Sequence, residues 1–86
     1  MQFDGALIKE QGVNFAVVVV KPNVLDTSTT REQTRQGFSQ YFPGVPIILM
    51  TQNSRGIPTY HGRQDIVNFL VNIHPSRIPF KRYNAN

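Results

Sequence analysis

The stretch that decides the fold is Val13-Asn14-Phe15-Ala16-Val17-Val18-Val19-Val20, which Lys21-Pro22 closes. Valine side chains are stiff at χ1 and fit the pleated surface of a sheet. Four valines in a row, without polar alternation, are typical of a strand that is covered on both faces. The stretch therefore predicts a strand at the centre of a sheet.

The segment before this stretch, residues 3–10, is predicted to be its antiparallel partner. Leu7 and Ile8 make the segment apolar enough for a strand, and Gln11-Gly12 separates it from the valines. Glycine accepts the positive φ that a two-residue hairpin turn requires. We therefore expect a β-hairpin at the start of the chain.

The first helix is predicted from about residue 30 to residue 41, where Pro43 follows as a stop signal. Two overlapping capping boxes mark its start, Thr29 with Glu32 and Thr30 with Gln33. Its apolar stripe is short and consists of Phe38, Tyr41 and Phe42. Gly37 lies inside the helix, where glycine costs about 1 kcal/mol relative to alanine. A close approach of the helix to the sheet at Gly37 would offset that cost.

Two more strands are predicted after this helix. Residues 45–51 are strongly apolar and form a second interior strand, with Pro46 near its start. A strand, a helix and a strand in this order predict a right-handed parallel crossover. The loop 52–56 then leads into residues 57–61, where Pro58 restricts the fourth strand to a sheet edge.

The second helix is predicted over residues 64–73. Its apolar stripe has the spacing i, i+3, i+4 and i+7 and is made of Ile66, Phe69, Leu70 and Ile73. His74-Pro75 ends the helix. In the tail that follows, residues 76–83, Ile78 and Phe80 are suited to packing under a helix or on a sheet edge.

The element order ββαββα predicts a single α+β domain over residues 1–86. Pairing of neighbouring strands gives a mixed four-stranded sheet in the order 1-2-3-4, with both helices on one face and the C-terminal tail on the sheet or on a partner. Side chains alternate between the faces of a strand, however, and helices on one face leave Ala16, Val18 and Val20 uncovered. We therefore expect the tail or a second copy to cover them, and homodimerisation is the structural hypothesis.

Composition excludes several functions. The chain has no cysteine, which rules out disulfides, thiol chemistry and thiolate metal sites. Two histidines and five scattered acids predict neither a metal site nor a cofactor. No apolar run reaches the roughly 18 residues of a membrane span, so a cytoplasmic protein without membrane contacts is expected. The net charge of +4 is compatible with a nucleic-acid partner.

One candidate site lies around the fourth strand and the start of the second helix. Its residues are Arg55, Tyr60, His61 and Arg63, with Asp65 nearby. Arg63 and the first turn of the helix are suited to binding an anion. The alternative is that Asp65 caps the helix while Arg63 and His61 are solvated. Tyr60 and His61 are adjacent and point to opposite faces of a strand, which argues against their acting together. His61 could reach Asp65 across the junction of strand and helix, but an exposed histidine is the commoner outcome, and no catalytic set is predicted.

A second candidate site is the tail, in which basic and aromatic residues alternate: Arg77, Phe80, Lys81, Arg82 and Tyr83. Aromatic rings that stack on bases, beside cations that bind phosphates, are a common way to hold single-stranded nucleic acid. Arg31 and Arg35 on the first helix extend this pattern. The alternative is that Ile78 and Phe80 fill the core while Lys81 and Arg82 are solvated.

The segment Arg55-Gly56-Ile57-Pro58-Thr59 resembles the proline loop of thioredoxin-like proteins, which a strand and the final helix also follow. The resemblance covers five residues and favours a cis bond at Pro58. The paired cysteines of that family are missing, and here a hairpin precedes the crossover. No redox role is therefore implied.

The sequence thus predicts a small non-enzymatic binding or assembly module that is homodimeric and acts through protein–protein contacts. The alternative is a nucleic-acid-binding protein that uses its arginines and its basic–aromatic tail. An enzyme ranks third, because few acids, bases or nucleophiles converge.

Overall fold

The structure is a computed structural model that describes residues 2–10 and 12–84. Within these residues the chain forms a mixed five-stranded sheet with two α-helices and two short 3-10 turns. The elements in chain order are β1 (Gln2–Glu10), β2 (Val13–Val19), a 3-10 turn (Pro22–Leu25), α1 (Ser28–Ser39), β3 (Ile47–Gln52), β4 (Pro58–His61), α2 (Gln64–Leu70), a second 3-10 turn (Pro75–Arg77) and β5 (Lys81–Asn84).

β2 lies at the centre of the sheet, whose strand order is β4-β3-β2-β1-β5. It pairs antiparallel with β1 and parallel with β3. Ala16, Val17 and Val18 are fully buried. Gly12 has a φ of +80°, as the predicted hairpin turn requires, while Gln11 lies outside the described residues. The central strand, the hairpin and the parallel connection through α1 are confirmed.

The prediction of a four-stranded sheet is wrong, because the tail adds a fifth strand. β5 pairs antiparallel with β1, which places Arg82 opposite Asp4 and Lys81 opposite Gly5. β1 to β4 still neighbour one another in sequence order, and β5 extends the sheet beyond β1. Ile78, just before β5, is buried in the cluster that also contains residues of α2. The tail therefore packs on the sheet and then becomes part of it.

The prediction that both helices pack on one face of the sheet is also wrong. Val17 of β2 is buried in a cluster with Leu70 of α2. Ala16 and Val18, which point the other way, belong to a second cluster against which Phe38 of α1 packs. The two helices thus lie on opposite faces, because both faces of β2 are apolar and each needs a cover. This removes the uncovered face on which the homodimer hypothesis depended.

The helix boundaries differ from those predicted by a few residues. α1 starts at Ser28, because the hydroxyl of Thr27 accepts a hydrogen bond from the backbone N–H of Thr30 at 3.1 Å. The cap therefore precedes both predicted capping boxes. α2 ends at Leu70 rather than at Ile73, since the chain beyond it continues in tighter i→i+3 hydrogen bonds.

Both edge strands of the sheet are poor templates for pairing with another chain. β4 is short and contains Pro58, as predicted for an edge. β5 is four residues long and contains Lys81 and Arg82. Short strands, proline and charged side chains are the usual means of blocking edge-to-edge association. Every peptide bond within the described residues is trans, so the cis bond at Pro58 that the resemblance favours is not found.

Candidate functional site

In the polar cluster between β4 and α2, Arg63 and Asp65 pair with each other. Arg63 donates two hydrogen bonds to the carboxylate of Asp65, from Nε at 2.7 Å and from Nη2 at 2.8 Å. These bonds lower the pKa of Asp65 and raise the pKa of Arg63. Arg63 is thus engaged within its own segment, and Asp65 pairs with Arg63 rather than with His61.

His61 is bound to α1 through Arg35. Nη2 of Arg35 lies 2.7 Å from Nδ1 of His61, and Nε of Arg35 donates a hydrogen bond to the carbonyl of Ile47 at 3.2 Å. Arg35 also forms an ion pair with Glu32. Burial lowers the pKa of His61, and the charges of Arg35 and Arg31 lower it further, against the opposing effect of Glu32. Arg35 therefore fastens α1 to β3 and β4, and its guanidinium is used structurally.

The aromatic residues predicted to stack on a ligand are packed into the two cores. Tyr60 is 9% exposed on the α2 side of the sheet, where burial raises the pKa of its hydroxyl. Phe80 packs against the same cluster. Tyr83 lies on the α1 side and stacks on Phe3, with ring centroids 5.1 Å apart and planes within 6° of parallel. Tyr60 and Phe80 therefore lie on one side of the sheet and Tyr83 on the other.

The basic residues of the tail also contact different parts of the molecule. Lys81 places Nζ 5.2 Å from the centre of the Tyr83 ring, whereas Arg82 donates to the carboxylate of Asp4 at 2.6 Å. Arg77 lies exposed in the second 3-10 turn. The structure therefore does not bring the predicted nucleic-acid contacts together on one surface.

A wide groove lies between α1 and the ends of β1 and β2, where the sequence predicted no site. Its volume is about 860 Å³, within the range of about 300–1,000 Å³ typical of ligand sites. Apolar side chains form most of its surface: Phe3, Val19, Val20, Pro22, Val24, Phe38 and Tyr41. The remaining lining residues are Gln2, Lys21, Thr34, Gly37, Gln40 and Gln52. We call this site the α1 groove.

The polar part of the α1 groove is made of amides and one charge. Gln2, Gln40 and Gln52 contribute side-chain amides, each with two N–H donors and one acceptor oxygen. Lys21 is the only charged residue that lines the groove among those the structure describes. The groove thus combines apolar surface with groups that can pair with a polar backbone.

Gly37 leaves part of the α1 groove open. A Cβ atom at this position would have no neighbour within 4 Å, so the expected close approach of α1 to the sheet is absent. Residue 37 nevertheless lines the groove, beside Phe38. The helix therefore carries a glycine that packing does not require. No pattern in the sequence marks the groove, because its lining residues come from distant segments of the chain.

A second cleft lies on the other side of the carboxyl ends of β2 and β3. Its volume is about 680 Å³, and Val19 and Gln52 line both this cleft and the α1 groove. The other lining residues come from the ends of the strands, the β3–β4 loop and the second 3-10 turn: Asp4, Met50, Arg55, Gly56, Ile57, Pro58, His74, Pro75, Ser76 and Phe80. We call it the carboxyl-edge cleft.

The carboxyl-edge cleft contains polar groups on both of its walls. The backbone N–H of Ser76 donates to Nδ1 of His74 at 3.1 Å, which leaves Nε2 to carry the proton of the neutral ring. Arg55 lies in the exposed β3–β4 loop and forms no ion pair among the residues described. Two potential hydrogen-bond donors, one of them cationic, therefore line this cleft.

Within residues 2–10 and 12–84, no cluster of three or more histidine or acidic side chains is arranged to hold a metal ion. No helix in these ranges is long and apolar enough to cross a membrane. Comparison of the chain with protein-family models, curated proteins and solved structures gives no match.

Proposed function

We propose that this protein is a small non-enzymatic binding module that holds an apolar peptide segment of a protein partner in the α1 groove. The observation that carries this proposal is the groove itself. Aromatic and aliphatic side chains line a solvent-open volume of about 860 Å³ in a chain of 86 residues. Exposed apolar surface that is rimmed by polar groups is typical of sites that bind another molecule.

The rim of the α1 groove favours a peptide over a plain hydrocarbon ligand. A peptide backbone offers one donor and one acceptor at almost every residue, and both must be paired when they are buried. Gln2, Gln40 and Gln52 supply donors and acceptors at the edge of the apolar surface. Part of this capacity is used within the chain, because Oε1 of Gln2 accepts a hydrogen bond from Nη1 of Arg82 at 3.1 Å and Nε2 of Gln52 donates to the carbonyl of Gly56 at 3.3 Å. A hydrocarbon chain could not use the donors and acceptors that remain.

The composition of the α1 groove supports binding rather than catalysis. The described lining residues include no histidine, carboxylate or cysteine, and their hydroxyls belong to Thr34 and Tyr41. General acid–base catalysis needs a titratable group within hydrogen-bond reach of the reacting atom. Lys21 alone does not provide the paired groups that such chemistry uses.

The two other functions that the sequence suggested have weaker support. Homodimerisation has lost its premise, because α1 and α2 cover both faces of β2 and the edge strands are poorly suited to pairing. Nucleic-acid binding would need aromatic faces and cations on one surface. Tyr83 is stacked on Phe3 and Arg82 is paired with Asp4.

A substitution at Gly37 tests the proposal without harming the fold. Leucine is a good helix former, and at residue 37 its Cβ would start in open space, so Gly37→Leu should fill the groove while α1 stays intact. Gln36→Leu is the matched control, since residue 36 is exposed on the same helix and does not line the groove.

The assay starts from a phage-displayed library of linear peptides panned against the wild-type protein. We expect apolar peptides to be enriched, and synthetic copies should bind wild type and Gln36→Leu equally but Gly37→Leu at least ten-fold more weakly. The proposal fails if panning enriches no peptide, or if Gly37→Leu binds the enriched peptides as well as wild type does.

A further inference from the structure

From the charges around the two clefts we infer that the partner segment is acidic where it leaves the α1 groove, and that Lys21 and Arg55 hold its carboxylates. This inference depends on the proposed function and specifies the chemistry of the peptide. The site selects a peptide in which an apolar run is followed or preceded by aspartate or glutamate.

The two clefts adjoin at the carboxyl edge of the sheet. Val19, at the carboxyl end of β2, and Gln52, at the carboxyl end of β3, line both of them. These two strands are parallel neighbours, so their ends lie at the same edge of the sheet. Ligands of α/β proteins commonly bind at this edge. A segment that fills the α1 groove can therefore continue past Gln52 into the carboxyl-edge cleft.

Among the residues that the structure describes, two cationic side chains and one acidic side chain line this path. The cationic side chains are Lys21 in the α1 groove and Arg55 in the carboxyl-edge cleft. The acid that lines the path is Asp4, and its carboxylate already accepts a hydrogen bond from Nε of Arg82 at 2.6 Å. The described residues thus offer two cations without an acid to pair with them.

The groups along this path are suited to binding a carboxylate. The guanidinium of arginine binds a carboxylate through two parallel hydrogen bonds, and such charge-assisted bonds are stronger than neutral ones. Nε2 of His74 offers another donor in the same cleft. Complementary charge at the rim of an interface mainly provides specificity and speeds association. An acidic flank therefore matches the path, whereas a basic flank would be repelled by it.

The test compares peptides that differ only in charge. Each apolar peptide enriched by panning is synthesised with a Glu-Glu flank and with a Gln-Gln flank, and both are titrated against the full chain by fluorescence anisotropy. We expect the Glu-Glu form to bind about ten-fold more tightly at low salt, because it gains charge-assisted bonds that the Gln-Gln form lacks. The difference should shrink as the salt concentration rises.

Two variants locate the effect. Arg55→Gln should remove most of the preference for Glu-Glu, because the Glu-Glu form loses charge-assisted bonds that the Gln-Gln form never makes. Arg77→Gln is the matched control, because Arg77 is an exposed arginine that lines neither cleft, and it should keep the full preference.

Each outcome separates this inference from the proposed function. Equal affinities for the Glu-Glu and Gln-Gln forms would overturn the inference and leave the proposed function intact. Failure of both forms to bind would overturn both. Displacement of the Glu-Glu peptide by dodecanoate at equal concentration would assign the path to an anionic lipid chain and would refute a peptide partner.

Discussion

Replacing Gly37 with alanine should stabilise the protein, and the size of the effect follows from the structure. Residue 37 lies within α1, and a Cβ there would meet nothing within 4 Å. The substitution therefore adds no clash and no buried contact. What remains is the difference in helix propensity, which favours alanine over glycine by about 0.8–1.0 kcal/mol.

The matched control is Gly44→Ala in the loop after α1. A Cβ at residue 44 would also have no neighbour within 4 Å, but the backbone there has a φ of +78°. The left-handed conformation costs a residue with a side chain about 1–2 kcal/mol. The two substitutions thus add the same methyl group to open space and should change stability in opposite directions.

Thermal and urea unfolding followed by circular dichroism measure both effects. In a domain of this size, 1 kcal/mol corresponds to roughly 4–8 °C in Tm, so Gly37→Ala should raise Tm by about that amount and Gly44→Ala should lower it. The reasoning would be refuted if Gly37→Ala were neutral or destabilising, because that result would mean that the helix is packed closely at Gly37 and that the groove is not open there.

Two further predictions concern the opposite face of the sheet and the Arg35–His61 contact. Leu70, the last residue of α2, is fully buried, whereas the next residue, Val71, is 62% exposed. Leu70→Ala should therefore cost about 2–5 kcal/mol in urea unfolding, while Val71→Ser should change stability by no more than about 0.5 kcal/mol. Similar costs for both would contradict the placement of α2. Because the pKa of His61 is lowered in the folded state, the folded protein binds fewer protons than the unfolded chain, and the free energy of unfolding should be greatest above pH 6.5 and should fall as the pH drops below it. The His61→Asn variant keeps an acceptor for Arg35 but has no ring that titrates. If the free energy of unfolding depends on pH in the same way in this variant and in the wild type, His61 is not the cause of the pH dependence.

The parts of the fold that could be predicted are those specified by local pattern. The valine run predicted the central strand because no polar residue interrupts its apolar faces, and Gly12 and Pro58 marked a turn and an edge through their backbone restrictions. The alternation of Val17 and Val18 already showed that both faces needed a cover. No residue in the sequence requires that both helices pack on one face of the sheet.

The fifth strand and the groove could not be predicted because they depend on long-range packing. Lys81 to Asn84 lack a strong strand pattern by themselves and become a strand by pairing with β1, at the other end of the chain. Tyr83 then completes an aromatic cluster around Phe3 and Phe38. Of the candidate site residues, Arg55 and Phe80 line the carboxyl-edge cleft, whereas Arg63 pairs with Asp65, two residues away.

The most direct test of the proposed function is an NMR titration of the ¹⁵N-labelled wild-type chain with an apolar peptide enriched by panning. We expect the largest shift changes at the backbone amide of Gly37 and at the side-chain amides of Gln40 and Gln52, which line the α1 groove. The amide signals of Asn68, on the exposed side of α2, should not move. Shifts concentrated on α2 or β5, with Gly37 unchanged, would contradict the α1 groove as the binding site.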